Sequence, residues 1–364
     1  MSNKGGQMSP EQSNQEIAPK LNPRTRAITE LWENEFFQVC HGKHVRIDEN
    51  QLKILALSIS ELRLAIPDWQ MPGVLPKDSL ALASYLPYIC AVNFTFTDPH
   101  APHLRFKVVD ETGVYYGSQA MCRCFYRHFG ERPIETEAMM NIIRSKNGIN
   151  RFFQGHCPMP LIGYRGIYLL ETAEALERVF NSEWQSLFQE GGYRAFGNES
   201  RIGIVDLIEL NFPKSFGLDC SYHEDELGRY PLRFAKRAQL WLMIYQGRAL
   251  SAPQDLKSLV DGNLLGPIAD SAIPNALRSR GAIIYSQKLA ARIDRQEELP
   301  AKSEEVREIR MATISAVKNL LAFLNTHLIG CGKKPVSMLA LDNALWQMGR
   351  NLKTPAHLCR TTDY

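Results

Sequence analysis

The sequence lacks a surplus of charge of either sign. Its 364 residues carry 42 lysines and arginines against 39 aspartates and glutamates, a formal net charge of +3. Without spare cations a polyanion cannot be held by counterion release, so no stable nucleic-acid complex is expected. No apolar run approaches the roughly 18 residues that a spanning helix needs, so no membrane span is expected either. The eight cysteines are scattered, and Cys122 and Cys124 lie one residue apart with no second pair near them. That spacing does not fit a zinc knuckle, and His41-x-x-His44 and His100-x-x-His103 have too few companions for a metal site. No charged-then-apolar leader is visible, which makes reduced thiols and a cytoplasmic location the expectation. Nucleophile-elbow, Walker and dinucleotide fingerprints are all missing, so no metal or cofactor is expected.

What is there is an ordinary globular mixture, 45% hydrophobic and 22% charged, able to bury a sizeable core. Residues 1–25, rich in Ser, Gln, Gly and Pro, read as a flexible tail. Residues 26–364 contain no linker-like stretch and read as one domain, which a two-lobed shape would also fit. Apolar residues at three- and four-residue spacing (Leu52, Leu55, Ile59, Leu62) open a series of amphipathic helices. Further helical patterns cover 79–91, 118–129, 135–143, 165–180, 202–210, 234–246, 275–280, 285–293, 303–328 and 337–350. LRFKVVD and VYY around Glu111-Thr112-Gly113 read as a β-hairpin, the only clear one. The fold class is therefore mainly α with a small β-hairpin, and no obligate protein partner is inferred.

Three segments set polar groups in apolar surroundings. In PLRFAKRAQLWLMIYQGR the helix is apolar all round, hence buried, yet it begins with Lys236 and Arg237. Two cations at a helix N-terminus oppose the macrodipole and need a carboxylate or an anionic ligand, unless their stems reach solvent. In LLGPIADSAIP, Asp270 stands between Leu264-Leu265, Ile268 and Ile273, flanked by two prolines. It reads either as a helix cap or as a carboxylate of tuned proton affinity. In EEVREIRMATISAVKNLLAFL, 100° steps put Arg310 and Thr313 on the apolar stripe, so Arg310 needs a carboxylate or phosphate for its fork. Glu308 falls on the opposite face, toward solvent or a surface ion pair.

FAKRAQLWL resembles the Lys-Arg-Ala-Gln helix of the queuosine salvage protein family, whose members are queuosine 5′-phosphate N-glycosylases/hydrolases. IADSAIPNAL and GAIIYSQKL are similar to that family's Phe-Ala-Asp-Tyr-Arg-Val-Pro-Gln block and its following Gly-…-Tyr-Ser. EIRMATISAV, LDNALWQMGR, HLCRTTDY, AVNFTFTD and ELNFPKSF resemble further family motifs, in the same order, over roughly residues 50–364. The resemblance implies a fold similar to the helix-hairpin-helix DNA glycosylases, without duplex DNA as substrate. It also implies hydrolysis of the N-glycosidic bond of queuosine 5′-phosphate or queuosine, releasing queuine for return to tRNA. The sequence departs from the family at Thr97 (Trp in the family), Ser271 (Tyr), Asn275 (Gln) and Ile244 (Asp).

On this resemblance Asp270 is the expected catalytic carboxylate, steadying positive charge on the sugar or directing water. A 7-deazaguanine has carbon where guanine has N7, so a cation or acid must help the base depart by another edge. Lys236 is expected to do this, or to keep Asp270 ionised. Arg237, Arg310, His357 and Arg360 are expected to hold the phosphate. Phe94 and Phe96 would flank the base, with Asn93 reading its amide edge. A glycosidase for another 7-deazapurine nucleoside or nucleotide, and a non-catalytic binder of such a nucleotide, remain alternatives.

Overall fold

Helix starts are written into the chain by short polar residues. Asp48, Asp78, Ser286, Ser303 and Ser337 each accept an amide N–H from the first turn of the helix they precede. The computed structural model describes residues 42–198, 201–225 and 228–364; the tail expected at 1–25 lies outside them. β1 (Val45–Ile47) leads to α1 (Glu49–Ser60) and α2 (Ser79–Ala91). The hairpin β2 (Lys107–Asp110) and β3 (Gly113–Tyr116) then pairs Val109 with Val114, as the sequence leads one to expect. A run of helices follows: α3 (Ser118–Phe129), α4 (Thr136–Arg144), α5 (Gly148–Phe152), α6 (Ile162–Phe180), α7 (Trp184–Glu190) and α8 (Ile204–Asn211).

The expectation of a single hairpin fails at the next step. β4 (Cys220–Asp225) and β5 (Gly228–Arg233) form a second antiparallel pair. The segment carries few apolar residues, and Pro231 within it removes a ladder donor, so it has no strand signature. The chain continues with α9 (Lys236–Ser251), α10 (Ala272–Ser279), β6 (Ile283–Tyr285), α11 (Gln287–Asp294), β7 (Glu298–Leu299), α12 (Glu304–Gly330), α13 (Met338–Arg350) and β8 (Leu358–Cys359). β6 pairs with β1, and β7 runs parallel to β8, so long-range pairing ties the first and the last described strands to segments between Ile283 and Leu299. Tyr285, expected to open a helix, instead closes a strand, and Leu62 lies past the end of α1.

One continuous apolar cluster runs from Val45 to Cys359. α1 packs on α12, α2 on α9 and α10 on α13; the end of α2 and the starts of α9 and α10 meet beside α13. Arg310 and Thr313 are buried, as their place on the helical wheel requires. Glu308 does not simply face solvent: its carboxylate accepts the backbone N–H groups of Lys43, His44 and Val45, anchoring β1 to α12. Those three donors arrive from some 260 residues away, which a helical wheel cannot register.

A carboxylate and lysine cleft as candidate active site

The turn after α2 is held by cations. A helix C-terminus gathers unpaired carbonyls, and positive charge is favourable there. Arg165, fully buried, donates to the carbonyls of Val92, Phe94 and Thr95, and Arg237 to that of Ala91. Lys236 completes the set: its Nζ lies 3.1 Å from the Asn93 carbonyl and 3.2 Å from Asn93 Oδ1. Lys236 and Arg237 are 5% and 1% exposed, so neither stem reaches out to solvent. Compensation comes from a carboxylate: Asp219 Oδ2 accepts the Lys236 backbone N–H at 2.8 Å, at the very start of α9.

Two chambers meet at this point. One, of about 280 Å³, is mostly apolar, lined among others by Trp69, Met71, Leu240, Met243, Ile244 and Trp346, with Asp342, Asn343 and Gln347 as polar groups. The other, of about 290 Å³, is more polar and contains Arg105, Arg350, Thr97, Ser271 and Asn275. Asn93, Ser118, Lys236, Asp270 and Trp346 line both, so they stand at the junction.

The loop that forms the apolar chamber's outer wall is clamped from below. Arg248, 1% exposed, donates to the carbonyls of Asp68 (2.8 Å), Trp69 (2.9 Å) and Lys77 (2.7 Å). Gly247 beside it has no room for a side chain, since a Cβ there would fall 2.2 Å from the Pro67 carbonyl oxygen.

Asp270 fills both roles the sequence leaves open. Its Oδ1 accepts the N–H groups of Ala272 (2.8 Å) and Ile273 (3.0 Å), capping α10, while the residue also borders the cleft. Burial raises its proton affinity, and Lys236 and the two amides oppose that. Burial lowers Lys236 to about 8, with Asp270 its leading counter-charge. Asp342, on α13, accepts the Ile268 N–H on Oδ1 at 2.7 Å and is raised to about 7 by burial. Arg105 is lowered by desolvation and by Arg350, its neighbour in the polar chamber. Arg350 lies over Trp346 and donates to Gln119.

Of the residues singled out from sequence, Asp270, Lys236 and Asn93 meet at the junction, and Phe96 and His357 border the polar chamber. The rest do not reach the cleft. Phe94 is 1% exposed and cushions Arg165, whose guanidinium sits 4.3 Å from its ring centre, so it does not flank a base. Arg237 is enclosed by the rings of Phe94, Tyr168 and Phe216. Arg310 spends its fork on Asp219, at 2.5 and 2.9 Å, and its Nε on the Ala269 carbonyl, and it lines neither chamber. His357 is lowered to about 4 by burial and by Arg310, hence neutral, and contacts the Tyr364 hydroxyl. Arg360 pairs with Asp98 at the surface.

Sequence reasoning missed Asp342, Trp346, Arg105 and Arg350. Asp342 and Trp346 were within reach, since residues four apart on a helix share a face and LDNALWQMGR sets an acid and an indole at that spacing. The arginines carry no such local signal. All four departures from the family pattern, Thr97, Ile244, Ser271 and Asn275, line one chamber or the other.

The fold and the site thus define a mainly helical protein with a small-molecule cleft, divided into apolar and cationic chambers by a carboxylate and a lysine. The chain belongs to the queuosine salvage protein family, which it matches over residues 75–364. It is 27% identical over 327 residues to the queuosine 5′-phosphate N-glycosylase/hydrolase of Sphaerobacter thermophilus, covering 88% of this chain and 93% of that one. It is 26% identical over 264 residues to the mouse protein of the same name, covering 69% and 72%. The Dictyostelium discoideum protein of that name is 32% identical over a shorter stretch of 130 residues, 34% of this chain and 37% of its own. Among the described residues no helix is long and apolar enough to cross a membrane.

Proposed function

We propose that this protein is an enzyme of the cytoplasm that hydrolyses the N-glycosidic bond of queuosine 5′-phosphate, releasing queuine for salvage into tRNA. The observation that carries the reading is the placement of Asp270 and Lys236 where an apolar and a cationic chamber join. A modified purine nucleotide has the same division, a flat apolar base at one end and a dianion at the other. The base occupies the apolar chamber beside Trp69 and Trp346, whose ring faces suit a heteroaromatic plane. The phosphate lies toward Arg105 and Arg350 rather than the cations favoured from sequence, because two like charges in one chamber gain from a dianion between them. The glycosidic bond then falls at the junction.

There Asp270 faces the anomeric carbon, where bond breaking builds positive charge, and stabilises that charge or orients the attacking water. Lys236, protonated at neutral pH, favours the ionised form of Asp270 and fixes Asn93 through two contacts. Asp342, titrating near neutrality in the base chamber, is placed to give a proton to the departing base, whose carbon in place of N7 removes the usual protonation site. No metal or cofactor is required by these steps.

A second reading concerns the base alone. Because Thr97, Ile244, Ser271 and Asn275 all border the cleft, the preferred base is a 7-deazapurine with a different side group. A hydrolysis screen of queuosine, its 5′-phosphate, other 7-deazapurine nucleotides and guanosine 5′-phosphate, read by released base, tests both. Fast release from queuosine 5′-phosphate supports the first. Faster release from another 7-deazapurine nucleotide replaces it with the second. Tight binding with no release from any would make the protein a binder.

A further inference from the structure

Lys236 and Asp270 come from segments that touch the same buried ion pair. Asp219, 2% exposed, takes the Lys236 N–H on one carboxylate oxygen and the Arg310 fork on both. Arg310, on α12, uses its remaining edge on the carbonyl of Ala269, the residue before Asp270. Its guanidinium lies against two aromatic rings, 3.8 Å from the centre of Phe234 and 4.7 Å from that of Tyr364. All three guanidinium nitrogens are thus engaged: two hold Asp219, which in turn accepts the Lys236 backbone N–H, and the third holds the carbonyl directly before Asp270.

We propose that the Asp219–Arg310 pair is a brace that sets the separation of Lys236 and Asp270, with Arg310 a positioning residue for the reaction. The pair grips both segments through rigid, planar, bidentate geometry, which a point-charge ammonium cannot reproduce. A buried pair is weak evidence for stability as such, so its use is sought in specificity of geometry. The groups facing the Lys236 ammonium or its helix start are Asn93 and Cys90 at the end of α2, Asp270 before α10, Asp219 before β4, Asp342 on α13 and Arg237 beside it. Among these Asp270 is the leading counter-charge, so a looser brace lets Lys236 release its proton at lower pH.

The inference rests on the reading of Lys236 and Asp270 as the working pair, and its test has a readout that needs no turnover. Competitive acetylation of Lys236 by acetic anhydride, followed by mass spectrometry between about pH 6 and 10, gives its titration midpoint. In Arg310→Lys the midpoint moves to lower pH by about half a unit or more. Turnover of queuosine 5′-phosphate falls about 10- to 100-fold in kcat with KM little changed. Phe234→Leu, which removes one ring from the guanidinium but keeps both charges, moves the midpoint the same way by less, and decides the matter if Arg310→Lys does not fold. A folded variant with the wild-type midpoint and wild-type kcat overturns the brace. If the wild type releases no base, the proposed function fails while the midpoint still judges the brace.

Discussion

At the scale of single residues, Asp270 joins a structural duty to the chemical one proposed for it. One carboxylate oxygen caps the start of α10, and the residue still borders the cleft. Asp270→Asn keeps an acceptor for the cap but lacks the charge, so release of base from queuosine 5′-phosphate should drop about 100- to 1,000-fold. Substrate affinity by calorimetry should change only a few fold, and near-normal release from the folded variant would dismiss Asp270 as the reacting carboxylate. In the proposed mechanism Lys236, lowered to about 8 by burial, must be protonated to act, and Asp342, raised to about 7 by burial, must be protonated to donate. Rising pH therefore removes activity twice, near 7 and near 8. The kcat profile of Asp342→Asn should be slower throughout and should retain only the later fall; an unchanged profile would exclude Asp342 as the donor.

At the scale of elements, the cleft depends on helices meeting closely. Gly349 near the end of α13 faces the backbone of α10, where a Cβ would lie 1.9 Å from the Ala272 carbonyl oxygen. Backbone cannot yield as a flexible side chain does, so Gly349→Ala should cost on the order of 1–3 kcal/mol in urea unfolding. Ala272 also donates to Asp270, so the same substitution should reduce hydrolysis. An alanine variant with wild-type stability would mean that α10 and α13 tolerate a wider spacing. Most helices were legible from periodicity because their apolar faces are local patterns. α5 and α7, of five and seven residues, were not, since so few turns carry no period.

At the scale of the molecule, burial of ionisable groups links stability to pH. His357 titrates at about 4 in the folded protein against 6.5 as a model value, because it is buried beside Arg310. Between those values the unfolded chain binds more protons, so this contribution is complete above about 6.5 and is lost as pH falls toward 4. Its ceiling is on the order of 3 kcal/mol. His357→Gln should flatten the fall of Tm with acid over that window. An equally steep fall would mean that other buried groups dominate.

The sequence by itself determined the helical class, the buried character of α9, the inward turn of Arg310 and the family, because these follow from local periodicity and ordered motifs. It also singled out Lys236 and Asp270 as polar groups in apolar company. Only the tertiary structure decided what answers each charge. Arg310 found Asp219, 91 positions away; Lys236 found Asn93, 143 away, and not solvent. Phe94 and Arg237 were drawn into the wall behind the cleft, and Arg105 and Arg350 into the cleft itself. The physical reason is that a buried charge must be paired, and the partner is chosen by how distant segments pack, which no local pattern encodes.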